Sequence, residues 1–108
     1  MKPSLRSICA AFVLLTIPMA AHAAPSKVSY SGGDGSSFAK AVVIHGATEQ
    51  TGVDAEYGYL AKHYPGSRSG KQSLTAHGGR HFDLLEFTTA DGKKRQIYFD
   101  ITEFFGKF

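Results

Sequence analysis

Three kinds of apolar spacing succeed one another along this chain, and each implies a different element. Residues 8–17 are almost continuously apolar. Ala41, Val42, Val43 and Ile44 form a short, β-branched run that suits a strand ending near His45 and Gly46. Val53, Tyr57, Leu60, Ala61 and Tyr64 then recur at offsets of four, seven, eight and eleven, which places them along one face of a helix. Thr51 reads as its N-cap with Asp54 as the capping-box partner, Lys62 and His63 suit the negative end of its dipole, and Pro65-Gly66 stops it. Gly58, inside the helix, implies a close approach to the sheet.

Beyond a polar loop at 67–71, the pattern becomes that of strands joined by tight turns. Residues 72–77 and 80–88 flank Gly78-Gly79, and 80–88 and 95–101 flank Asp91-Gly92. The tail from Thr102 through Phe104, Phe105 and Gly106 reads as a helical turn capped by Thr102, with its phenylalanines closing one edge of the core. The order β-α-β-β-β, with one amphipathic helix packed on an antiparallel sheet, predicts an α+β domain. A two-residue turn at Asp91-Gly92 sets Phe82 opposite Ile101, Leu84 opposite Phe99 and Asp83 opposite Asp100. A three-residue loop pairs Phe82 with Asp100 and Asp83 with Phe99, a poorer apolar match, so the first register is preferred.

The apolar segment at 8–17 follows Lys2 and Arg6 and precedes Ala21-His22-Ala23, the three-part pattern of a cleavable secretory signal with its cut after Ala23. It is too short for a transmembrane helix. The domain plan is therefore a signal peptide at 1–23, a flexible Gly/Ser-rich arm at 24–37 and a single α+β domain at 38–108. Within the arm, Ser36 or Ser37 can cap a turn through Phe38, Ala39 and Lys40. The only cysteine, Cys9, leaves with the leader, so no disulfide and no lipid attachment are expected. The expected location is the periplasm or the medium outside the cell. The leader also carries two of the 12 basic residues, which leaves 10 against 9 acidic ones. A near-neutral mature chain argues against nucleic acid or an anionic membrane as partner.

Candidate chemistry is sparse. In the preferred register Asp83 faces Asp100, with His81 two residues before Asp83, an arrangement that acid–base or metal chemistry would use. His77, His81 and Asp83 superficially spell a metal site, but a two-residue turn at Gly78-Gly79 sends His77 and His81 to opposite faces, too few ligands on either for zinc. No metal and no cofactor are expected. The Gly-rich stretch around Asp34-Gly35-Ser36 lacks the ending of a nucleotide-binding loop. Lys93-Lys94-Arg95 beside Phe87 and Tyr98 has the composition of a single-strand-binding surface, but in a near-neutral exported chain it reads better as a charged hairpin tip that keeps a strand edge soluble. Leu85, Phe87 and Tyr98 are expected to share the second sheet face with Asp83 and Asp100. Together with Phe104 and Phe105 of the tail they are the candidate binding residues, because one helix cannot cover both faces.

Gly33-Asp34-Gly35-Ser36-Ser37, the Ala41 to Ile44 strand, Glu56-Tyr57, Asp91-Gly92, and Tyr98-Phe99-Asp100-Ile101 with Phe104-Phe105-Gly106 resemble a family of small, functionally uncharacterised exported bacterial proteins. The resemblance implies a bacterial exported address and no particular mechanism. The leading functional expectation is a non-enzymatic binding module for an envelope or secreted protein or another envelope component, with a homodimer as one way to cover the second face. The rival expectation is a small secreted hydrolase using Asp83, Asp100 and His81, with or without a divalent ion.

Overall fold

The computed structural model describes residues 27–108, so the signal-peptide and cleavage expectations lie outside the described residues. The elements are β1 (Ser29–Gly32), β2 (Val42–His45), α1 (Glu49–His63), β3 (Arg68–His77), β4 (Arg80–Thr88) and β5 (Lys94–Asp100). Among the described residues they make one α+β unit, a five-stranded mixed sheet in the order β1-β2-β5-β4-β3 with one helix. β2 runs parallel to β5 and every other neighbouring pair is antiparallel. Among the described residues no helix is long and apolar enough to cross a membrane.

Two segments read as irregular belong to the sheet. The stretch read as an arm contains β1, which pairs with β2 from Ser29↔His45 to Gly32↔Val42. All but the first residue of the polar loop at 67–71 belongs to β3, which carries an irregularity between Ser69 and Gln72 where it pairs with β4. Low β-propensity in both stretches is overridden by a partner strand. The turn after the arm forms as expected, with Ser37 Oγ accepting the Lys40 amide at 3.2 Å.

The helix begins one turn earlier than its apolar spacing suggests. Thr48, not Thr51, is the N-cap: its hydroxyl accepts the Thr51 amide at 3.3 Å, and Thr51 Oγ1 accepts the Thr48 amide at 2.9 Å. The inward face is also rotated. Gly52, Ala55, Glu56 and Leu60 are buried, whereas Val53 and Tyr57 are 41% and 39% exposed. A carboxyl group at an inward position hid this face from the apolar count. The close approach falls at Gly52, where a Cβ would lie 2.4 Å from the Phe104 ring, while Gly58 has only the Tyr30 hydroxyl near it, at 3.9 Å.

The register of β4 and β5 is the one the apolar match disfavoured: Phe82 pairs with Asp100, Asp83 with Phe99 and Leu84 with Tyr98. The cause lies in the loop. A two-residue type I′ turn needs positive φ at both central positions, yet among the described residues only glycines have it, so Gly92 is left-handed and Asp91 is not. The Thr89 amide donates to the Lys93 carbonyl at 2.8 Å, and the Thr89 hydroxyl donates to the Asp91 carboxylate and accepts the Lys93 amide, which closes a three-residue loop. Gly78 and Gly79 both have positive φ, and there the two-residue turn forms with His77 paired to Arg80.

With this register, alternation along each strand defines two faces. Val42, Ile44, Leu85, Phe87, Ile97 and Phe99 point toward α1 and, with Ala55, Leu60, Ile101 and Phe104, form the core. Each fully buried valine, leucine, isoleucine or phenylalanine among them contributes about 1.5–3 kcal/mol. Val43, Phe82, Leu84, Tyr98 and Asp100 point the other way.

Candidate functional site

The corrected register separates the residues that sequence spacing had brought together. Asp83 lies on the helix side and Asp100 on the outward side, so they do not face each other and the acid pair on which the hydrolase expectation rested is not formed. His77 and His81 also take opposite faces, as the two-residue turn requires. His77 stacks on Phe38 at 4.0 Å between ring centroids, and His81 stacks on Phe105 at 3.8 Å. Among the described residues no group of three histidine, cysteine or acidic side chains is placed to hold a metal.

Each aspartate has another partner. Asp100 is buried and structural: its Oδ2 accepts Arg80 Nε at 2.6 Å, and its Oδ1 accepts the Thr102 amide at 3.0 Å and the Thr102 hydroxyl at 2.6 Å. Burial works to raise its pKa, but the hydrogen bonds from Arg80 and Thr102 outweigh it and hold the carboxyl below its usual value. Asp100, rather than Thr102, therefore caps the C-terminal turn.

Asp83 meets Glu56. Gln72, reaching in from β3, donates its side-chain amide to Glu56 Oε1 at 3.3 Å and to Asp83 Oδ2 at 3.2 Å. Glu56 is 1% exposed, and its Oε2 accepts no hydrogen bond from the described residues. Burial, followed by the Asp83 carboxylate acting as hydrogen-bond acceptor and as like charge, pushes the Glu56 pKa up to about 10. At neutral pH Glu56 is a neutral acid whose proton serves Asp83, which makes the trio tolerable in the interior. Glu56 and Asp83 lie buried between helix and sheet, and Gln72 reaches them from the exposed strand β3.

Most of the expected binding residues are core. Leu85, Phe87 and Phe104 are 0%, 3% and 3% exposed on the helix side, and Phe105 is half-buried against His81. Tyr98 alone of that set faces outward, where its ring meets Phe38 at 4.8 Å, and Phe38 in turn meets Phe82 at 4.9 Å. The basic run is divided as well: Lys94 faces outward, whereas Arg95 lies over the Tyr64 ring at 5.6 Å on the helix side.

On the outward face, rows of side chains cross β3, β4 and β5. Arg68, Thr88 and Lys94 form one row, Glu86 and Gln96 the next, and Ser73, Leu84 and Tyr98 a third. An open groove of about 770 Å³ runs over these rows, bordered by Ser36, Gly70, Glu86, Thr88, Lys94, Gln96 and Tyr98. Gly70 leaves the floor clear, since a Cβ there would crowd the Glu86 carbonyl at 3.3 Å. At the other end of the same face stand Ser31, His45 and Glu103, which come together from β1, β2 and the C-terminal turn. No spacing rule could have found them, because only the β1–β2 pairing and the folded tail make them neighbours. Comparison with protein-family models, curated proteins and solved structures finds no match to this chain.

Proposed function

We propose that this chain is a small exported binding module for an envelope component, and that it binds on the sheet face turned away from α1. The observation that carries this reading is the groove over β3, β4 and β5, which no other described element covers. Its border combines an aromatic edge (Tyr98), planar hydrogen-bonding groups (Glu86, Gln96) and cations at one end (Lys94, with Arg68 across Thr88). Few polar groups placed around an open trough suit an extended polar ligand carrying a negative group, contacted edge-on by the tyrosine. The aromatic tail is not part of the surface, since Phe104 and Phe105 pack inward.

The test is site-specific photo-cross-linking in cells. A photoreactive residue at Gln96 reports on the groove and one at Lys62, on the exposed side of α1, serves as control. The reading requires a discrete adduct from Gln96 that Lys94→Glu weakens and that Lys62 does not form. Equal or absent adducts at the two positions, with the protein monomeric in sedimentation, defeat it.

A further inference from the structure

Ser31, His45 and Glu103 lie in the order that acyl transfer requires. Ser31 Oγ is 2.7 Å from His45 Nε2, and His45 Nδ1 is 3.5 Å from Glu103 Oε1. The same Glu103 oxygen accepts the Gly46 amide at 3.0 Å, which fixes the carboxylate beside the ring. A carboxylate only accepts, so Glu103 favours the imidazole tautomer with its proton on Nδ1 and leaves Nε2 free to accept from the Ser31 hydroxyl. The 3.5 Å separation is long, as such contacts commonly are before substrate binds. The His45 and Glu103 side chains are 42% and 49% exposed and Ser31 is exposed, so a carbonyl can reach the hydroxyl without any opening motion.

An oxyanion donor is also at hand. The Gly33 amide donates to the Ala41 carbonyl at 3.1 Å, which makes Ser31 and Val43 a hydrogen-bonded pair in the alternating ladder. The Gly32 amide, one residue along from the serine, therefore points away from β2 at the open sheet edge, where it can meet a developing negative oxygen.

We propose that Ser31, His45 and Glu103 form a hydrolytic site for small, exposed carboxylic esters, an activity that does not rest on the binding reading. Ser31 Oγ attacks the ester carbonyl carbon while His45 Nε2 takes its proton. The carbon–alkoxy bond then breaks, and His45 returns the proton to the departing alcohol, leaving an acyl-serine. Water adds to that ester with its proton passing to His45, the bond to Oγ breaks, and the carboxylic acid leaves as Oγ recovers the proton. Glu103 is a positioning residue that holds the imidazole with Nε2 toward Ser31.

The purified protein is tested with p-nitrophenyl acetate and, separately, with a fluorophosphonate followed by mass spectrometry. The expected result is one phosphonyl adduct, on Ser31, and ester turnover that Ser31→Ala abolishes. His45→Gln slows both reactions by about a hundredfold. Glu103→Gln, which keeps an oxygen for Gly46, lowers kcat while KM and the thermal midpoint stay unchanged. Absence of the Ser31 adduct overturns the proposal, and so does unchanged labelling in a folded His45→Gln variant. Ester turnover undiminished in Ser31→Ala, a substitution at an exposed edge position, overturns it independently of the histidine variant.

Discussion

Replacing Glu56 by glutamine should make this protein more stable at neutral and alkaline pH, because it removes a titratable group that the interior holds in its neutral form. The folded-state pKa of Glu56 stands at about 10 against an ordinary 4.5. A raised carboxyl pKa means that the associated stability is fully present below about pH 4.5 and is lost as pH rises through about 10, because only the unfolded chain can release the proton cheaply. Each unit between those limits removes about 1.4 kcal/mol. At pH 7 the deficit is therefore about 3 kcal/mol, a large share of the roughly 5–15 kcal/mol that holds a small domain together. Glutamine has the same shape, can still accept from Gln72, donates to Asp83 and does not titrate. Urea unfolding of parent and variant at pH 5, 6.5 and 8 reads the effect, and the difference between the two cancels the contributions of the histidines. The gap should be within about 1 kcal/mol at pH 5 and widen in favour of the variant by about 1.4 kcal/mol per pH unit. A gap that stays constant from pH 5 to 8 would show that Glu56 is ionised in the fold and would refute the reasoning.

Two glycines of α1 should respond oppositely to alanine. Gly52→Ala drives a methyl into the Phe104 ring and should cost about 1–3 kcal/mol, whereas Gly58→Ala, with open space around it, should gain up to about 1 kcal/mol, both by urea midpoint. Asp100→Asn weakens the hold on Arg80 and the C-terminal turn and should cost about 1.5–3 kcal/mol at pH 7. Because the Asp100 pKa is lowered in the fold, its stabilisation is present above the ordinary carboxylate value and fades as pH falls, so the variant should also show a flatter acid limb in thermal melts. In a Cys9→Ser background, Glu86→Cys with Gln96→Cys should form a disulfide on air oxidation and Glu86→Cys with Ile97→Cys should not, since residues 86 and 96 face each other; thiol titration separates the outcomes.

Strong local signals carried the fold class: the β-branched run of β2, the glycine pair at 78 and 79, and the basic last turn with Pro65-Gly66 behind α1 each act over a few residues. What could not be read was set by side chains whose partners are distant. The loop after β4 is closed by the Thr89 hydroxyl, and counting apolar matches across Asp91-Gly92 could not weigh that bond against them. The cost of the wrong register was complete, because a shift by one reverses every side chain of a strand. It transferred Leu85 and Phe87 from a supposed binding face to the core and dissolved the pairing of Asp83 with Asp100. The helix face was misjudged for a related reason: Glu56 is inward only because Gln72 and Asp83 receive it. A carboxyl pair was legible as an idea and attached to the wrong partner.

The last strand to be made is the middle one of the sheet. β5 joins the β1–β2 pair to the β4–β3 pair, and without it neither half has a central neighbour. The β3–β4 hairpin can form early, but the layer beneath α1 cannot close until β5 is in place between β2 and β4. Cooperative collapse thus waits for β5, and a chain stopped short of it should remain a target for proteases rather than a smaller folded domain.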